Sequence, residues 1–323
     1  MIGLSLSELT SSLFAVAAQV AILFVLVGAG AVMRRARFFE GAAIDGIVNL
    51  LVLVVTPCLI VDVFQRPYDP AMLGGLAIAF GFSVFGHLAV IALARLVVRH
   101  RDEDVRRPLL LSAVFSNAGF MGIPLEHSLL GDTGVFFGIV YVAVFNLFIW
   151  SWGYGTMKPK SVRSSFLTLR SLVNPGTVGI ALGLPLFFLS VKLPPVLGVP
   201  IHQIAQLNTP LAMIVIGYYL VGMRFTHVAK TAAAYVAMAI RLVGYPLLMI
   251  AAMYPFRHHL NRDMMLALAI AASAPVAAMV SMFSAKFGRD VDVSVAVVSA
   301  STLLSVLTMP VLIAVAMSIL QGT

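Results

Sequence analysis

Apolar residues gather into ten stretches, at approximately 13–33, 44–64, 72–98, 107–130, 133–155, 174–191, 203–223, 231–254, 262–286 and 291–319. A helix needs roughly 20 such residues to cross a ~30 Å hydrocarbon core. The sixth stretch is short, and the fourth and ninth are interrupted by residues that break helices. Most connections are brief. The longest, about 156–173, reads as a linker between two halves of five spans each, 1–155 and 174–323. The pattern predicts an all-α integral membrane protein with ten transmembrane helices.

Five spans per half is an odd number, so the second half must enter the membrane opposite to the first. Two related halves arranged this way form an inverted repeat. Internal likeness supports that arrangement: span two reads IVNLLVLVVTPCLI and span seven IAQLNTPLAMIVIG, each with a proline inside. The interrupted spans occupy the fourth place in each half. Matching interruptions are the strongest sequence pointer to a transporter binding site.

Span four carries Ser116-Asn117-Ala118-Gly119-Phe120-Met121-Gly122-Ile123-Pro124. Each glycine weakens a helix by about 1 kcal/mol and an interior proline by about 3. Proline suits the first position of a new helix. This predicts two half-helices with an unwound stretch near 117–123 and Pro124 opening the second. In span nine, Ala271-Ala272-Ser273-Ala274-Pro275-Val276 predicts a second break, with Pro275 opening a half-helix and Ser273 or Ala274 near its cap. Half-helix starts that meet in mid-membrane present free N–H groups and partial positive charge to an anion such as a carboxylate. Asn117 can donate from its amide and Ser273 from its hydroxyl. A plain structural kink is the competing reading of each break, most of all in span nine.

Composition fits a bilayer. Hydrophobic residues make up 61% of the chain and charged residues 11%, against roughly 45–50% and 25% in soluble proteins. The net charge of +8 does not mark a nucleic-acid binder, because the charges sit in short loops between apolar runs. Sixteen Lys and Arg fall on one side: Arg34, Arg35, Arg37, Arg95, Arg99, Arg101, Arg106, Arg107, Lys158, Lys160, Arg163, Arg170, Arg224, Lys230, Lys286 and Arg289. Four fall on the other, Arg66, Lys192, Arg257 and Arg262. The positive-inside rule makes the first set cytoplasmic and places both termini outside. The first twelve residues hold Glu8 and no Lys or Arg, so the n-region of a cleavable signal peptide is missing. The single cysteine, Cys58, excludes an internal disulfide and reads as packing.

The run from Asn117 to Pro124 resembles the asparagine-glycine-proline signature of the auxin efflux carrier family, which includes plant auxin exporters and bacterial malate and malonate permeases. The final run from Ser273 to Ile313 is similar to that family's last two spans, and Asn49, Pro57, Pro210 and Gly217 fit it as well. The resemblance implies a ten-span fold of two inverted five-span repeats, related to bile-acid-type symporters and sodium/proton antiporters. It implies crossed broken helices in a mobile domain beside a scaffold of spans one, two, six and seven, with elevator-like movement and a homodimer. It matches Asn117 to a substrate-binding asparagine, and the two breaks together make Asn117, Gly119, Gly122, Pro124, Ser273 and Pro275 the expected substrate-binding residues. The auxin exporters carry an asparagine on each broken helix, whereas span nine here has none.

Other residues stay open between two readings. Glu126, in the first turn after Pro124, is either a partner of the helix dipole or a titrating group that couples proton movement. Arg241, inside span eight, either attracts an anionic substrate or caps carbonyls of the broken helices. His127 is ambiguous, His87 reads as an interhelical contact, and Asp62 as a group reaching water at a span end. Trp150, Trp152 and Tyr154 read as an interfacial belt. Gly179 and Gly183 form a GxxxG motif for close packing, within the scaffold or at a dimer contact.

The leading expectation is a carrier of a small organic anion in a plasma (bacterial inner) membrane, coupled to H+ or Na+ and without a cofactor. A sodium-coupled bile-acid-type symporter or a cation/proton antiporter is the close alternative. A membrane-embedded enzyme or a receptor is the alternative of a different class. No Ser/His pair, HExxH run or pair of intramembrane aspartates supports the enzyme.

Overall fold

The computed structural model describes residues 6–38, 41–158, 175–221 and 231–320, with side chains in the first helix given for Phe14 and from Val16 onward. Most of the expected linker lies outside the described residues, with Lys160, Arg163 and Arg170, as do Arg224 and Lys230. The described chain is helical throughout: α1 (Leu6–Arg35), α2 (Gly41–Leu50), α3 (Thr56–Phe64), α4 (Pro70–Val97), α5 (Glu103–Val114), α6 (Ile123–Phe148), α7 (Tyr154–Met157), α8 (Pro175–Phe188), α9 (Pro195–Ala205), α10 (Asn208–Leu220), α11 (Ala232–Ala239), α12 (Tyr245–Met253), α13 (Arg262–Ser273), α14 (Met279–Lys286) and α15 (Val291–Leu320). Seven runs among them are long and apolar enough to cross a membrane. One, Ala118–Met157, spans 40 residues. It folds at Gly131, whose φ of 62° and ψ of −156° suit glycine alone. That turn lies where the sequence separates spans four and five.

Helix starts at the water-facing ends are capped by short polar side chains. Asp69 accepts from the Ala71 N–H at 2.8 Å, Asp102 from Asp104 at 2.8 Å, and Asn261 from Met264 at 3.0 Å. Such caps satisfy N–H groups that have no intrahelical partner. The helical starts deeper in the protein, at Asn117 and Ala278, have no side-chain cap.

Four π-turns interrupt the described helices, at Leu51–Val55, Ala118–Gly122, Ile149–Gly153 and Ile240–Gly244. Three of them precede a proline: Pro57, Pro124 and Pro246. In each case the residue before the proline donates its N–H five residues back, Thr56 to Leu51, Ile123 to Ala118 and Tyr245 to Ile240. Proline cannot make the usual bond to the carbonyl four residues back, and its ring collides with that carbonyl. The wider turn moves the carbonyl aside. The chain therefore continues helically through Pro57, Pro124 and Pro246.

Two glycine-mediated pairings join the halves. At α1 against α10, a Cβ on Gly30 would collide with the Ile214 carbonyl, and one on Gly217 with the Val27 carbonyl. At α3 against α8, a Cβ on Gly179 would lie 3.1 Å from Ile60 Cβ, and one on Gly183 would lie 3.0 Å from Phe64 Cβ. The GxxxG motif thus serves contact within the chain. Gly217→Ala is expected to force α1 and α10 apart and to cost roughly 1–3 kcal/mol, the range for overpacking. Thermal unfolding in detergent checks this; an unchanged midpoint would refute the close approach.

A large apolar cluster joins α4, α5, α6 and α11–α15. A second joins α1, α2 and α10 to Met121, Leu125, Ile270, Ala274 and Met309. At one end of the bundle, polar contacts tie α5 to the segments after α7 and α14. Arg107 pairs with Glu103 at 3.0 Å and donates to the Lys158 carbonyl at 2.6 Å. Arg289 pairs with Asp104 and donates to the Met157 carbonyl at 2.8 Å.

Candidate binding site

Helix α5 ends at Val114 and α13 at Ser273, and both continue into short extended segments. The two segments pair antiparallel at Ser116 and Val276. Asn117 donates its N–H to the Pro275 carbonyl at 2.7 Å, and Ala277 donates to the Phe115 carbonyl at 2.9 Å. Val276 donates its N–H to Ser301 Oγ at 3.1 Å. Backbone polar groups that helical bonding would otherwise have served are thereby satisfied without water, as the hydrocarbon region demands.

This geometry corrects both expected breaks. Unwinding in the first occurs at Phe115–Asn117, ahead of the expected 117–123, and Ala118–Gly122 forms a π-turn. Pro124 lies buried in the helix beyond it. In the second, Pro275 lies in the extended segment, where only its carbonyl is used, and helix resumes at Met279. A residue without an N–H loses nothing at that place.

The C-terminal ends of α5 and α13 converge on Arg241. Its guanidinium donates to the Val114 carbonyl at 2.8 Å and to the Ala272 carbonyl, and lies 4.5 Å from the Tyr245 ring centroid. A helix C-terminus carries partial negative charge, so one fully buried cation serves two of them. Of the two readings of Arg241, the structure shows carbonyl capping, and the side chain does not line the cavity described below. Ser116 Oγ lies 3.1 Å from Tyr141 Oη, which donates to Tyr245 Oη at 3.2 Å. His87 stacks on Phe148, and its Nδ1 lies 2.8 Å from the Ser83 carbonyl.

Beside the crossing lies a cavity of about 270 Å³. Asn117, Ser116, Gly119, Ala278 and Met279 line it from the crossing, Thr56 from α3, Asn146 from α6 and Thr177 from α8. Ile60, Phe120, Ile139, Phe145, Trp150 and Met282 supply apolar walls. Among the described residues no ionisable side chain lines it. Polarity there comes from amides, hydroxyls and the opening N–H groups of two helical segments, which have no intrahelical partner. Such groups suit an anion with an apolar body.

The expected ligands divide. Asn117 and Gly119 line the cavity; Gly122, Pro124, Ser273 and Pro275 are buried behind it. Ser273 Oγ donates to the Ala269 carbonyl of its own helix at 2.7 Å. Pro57 adjoins the lining residue Thr56, whereas Asn49 is exposed on α2 and Pro210 lies on α10 outside the lining. Glu126 is buried one turn beyond Gly122. His127 lies 3.5 Å from Asp132, and Asp62 lies 2.8 Å from His202. Of the expected aromatic belt, Trp150 and Tyr154 contact Phe283 and Trp152 contacts Phe115, and the ammonium groups of Lys158 and Lys286 lie over the Tyr154 ring. Thr56, Asn146 and Thr177 went unmarked in the sequence. Asn146 offered one signal, as an amide within an otherwise apolar fifth span.

Comparison with known proteins adds an independent finding. A family model described as a membrane transport protein matches residues 15–313. A search of curated proteins finds no match. The match takes in both broken segments and every residue named above as lining the cavity, and the chain belongs to the auxin efflux carrier family of membrane transport proteins.

Proposed function

We propose that this transporter carries a small organic anion, such as a carboxylate, by elevator-type alternating access. The observation that supports this most is the cavity at the crossing: two helical segments open into it beside Asn117, with no ionisable side chain among the described lining residues to neutralise an anion or to bind a cation. A cation/proton antiporter would need carboxylates at the site, and the described lining supplies none.

Ten spans in two inverted repeats form the frame of this reading. The mutual pairing of α1 with α10 and of α3 with α8 supports it, as does the meeting of one break from each half. The scaffold consists of α1–α3 and α8–α10, and the crossing moves against it along the apolar seam at Met121, Leu125, Ile270 and Ala274. With the basic end cytoplasmic and both termini outside a plasma membrane, the cavity lies on the cytoplasmic side of the crossing. The protein works as a homodimer, with H+ or Na+ as coupling ion.

A binding screen of mono- and dicarboxylates on purified protein, with and without sodium and at two pH values, tests this reading. At least one carboxylate is expected to bind and to show counterflow in proteoliposomes. A panel in which none binds would sink the assignment.

A further inference from the structure

Glu126 has no role in the cavity, yet its surroundings are unusual. Its side chain is fully buried, and neither carboxyl oxygen has a hydrogen-bond or ion-pair partner among the described residues. The carboxyl lies over Gly138, where any Cβ would overlap Oε2. On its other side, a Cβ at Gly122 would lie 3.6 Å from Oε1. Two glycines thus leave room for a carboxyl that nothing holds by charge.

The charged and titratable groups on neighbouring elements are engaged elsewhere or sit at helix ends. On α4, His87 lies against the Ser83 carbonyl and Arg95 over the Trp152 ring. On α3, Asp62 pairs with His202, and the following Arg66 lies over the Phe136 ring. Arg34 of α1 donates to the Tyr218 carbonyl on α10, and Tyr219 donates to Asp45. Arg35 ends α1, while Arg262 and Asp263 begin α13. On α6 itself, His127 faces Asp132 and Tyr141 bonds Tyr245. None of these supplies a counter-charge to Glu126.

An ionised carboxylate left unpaired in a low-dielectric interior is costly, whereas the neutral acid is far less so. Glu126 follows Asn117 on one continuous helical segment, through the π-turn, so the two move together. It also lies outside the cavity lining, so it and the anion are reached separately. We propose that Glu126 is a proton-binding site, loaded from water on one side and emptied on the other, which couples anion movement to H+. This rests on the carrier reading above. The step balances simply: the carboxylate takes a proton from water on one side, crosses as the neutral acid, and returns the proton to water on the other.

The experiment compares wild type with Glu126→Gln in phosphatidylethanolamine/phosphatidylglycerol liposomes. Infrared difference spectra between acid and alkaline pH are expected to show a titrating carboxylic-acid carbonyl band in wild type that Glu126→Gln lacks. Identical spectra would overturn the proposal. Radiolabelled malonate is the transport probe, with an entrapped pH dye. Glu126→Gln is expected to keep malonate counterflow but to lose the acceleration by an inward proton gradient, and wild-type uptake to acidify the lumen. Wild-type uptake without proton movement would also overturn it. Should wild type fail to carry malonate, that substrate fails while the infrared result still decides the proton site. Gly138→Ala, which pushes the carboxyl from its notch, is expected to shift the band; an unshifted band would count against the notch even if Glu126→Gln did not fold.

Discussion

Asn117→Ala is expected to reduce carboxylate counterflow by at least about tenfold while leaving the protein folded and inserted. The residue does two separable things. Its backbone holds the crossing, donating to Pro275 and accepting from Met121 at 2.9 Å. Its side chain makes no hydrogen bond within the described protein and lines the cavity. Alanine removes only the second. A hydrogen bond to a charged group is worth about 1.5–3 kcal/mol, and about 1.4 kcal/mol is tenfold in affinity. Counterflow in proteoliposomes reads the loss, and a thermal melt reads the fold. Wild-type rates in a folded variant would remove Asn117 from the site.

Arg241→Met has its expected effect on stability. Methionine retains apolar bulk but strips donors from the Val114 and Ala272 carbonyls at the ends of α5 and α13. Each orphaned buried acceptor costs about 1–3 kcal/mol, so a loss of roughly 2–6 kcal/mol is expected. Arg241→Lys keeps the charge without the planar fork and should fall between the two. If Arg241 instead drew the substrate, Arg241→Met would melt like wild type and bind carboxylates weakly. Unfolding and binding measured on the same preparation separate these outcomes.

The sequence carried the membrane character openly, because long apolar runs are a one-dimensional signal. It also carried the fact of two breaks, because prolines and glycines weaken helices wherever they occur. It did not carry where the chain unwinds. Pro124 looked like a helix start, but the π-turn at Ala118–Gly122 absorbs it. What holds the chain extended at Ser116 is Val276, about half the sequence away, and no local pattern announces that pairing. Arg241 stayed ambiguous for the same reason: its partners are carbonyls, which every residue has. Thr56, Asn146 and Thr177 become neighbours only when α3, α6 and α8 surround one cavity.

The π-turns give the chain an exacting length. A π-turn amounts to one residue inserted into an α-helix, and one residue rotates all that follows by about 100°. Substitutions at Leu242 or Val243 can be absorbed by repacking. A single-residue deletion there cannot, because it would return the turn to α geometry, drive the Pro246 ring into the carbonyl behind it and swing Arg241 away from Val114 and Ala272. The same holds between Asn117 and Glu126, whose relative bearing is set by the turn at Ala118–Gly122. Away from Asn117, Glu126 and Arg241, point substitution and loss of one residue should therefore have very different tolerances in these segments, and sequences that retain the three prolines should also retain the count of residues before each.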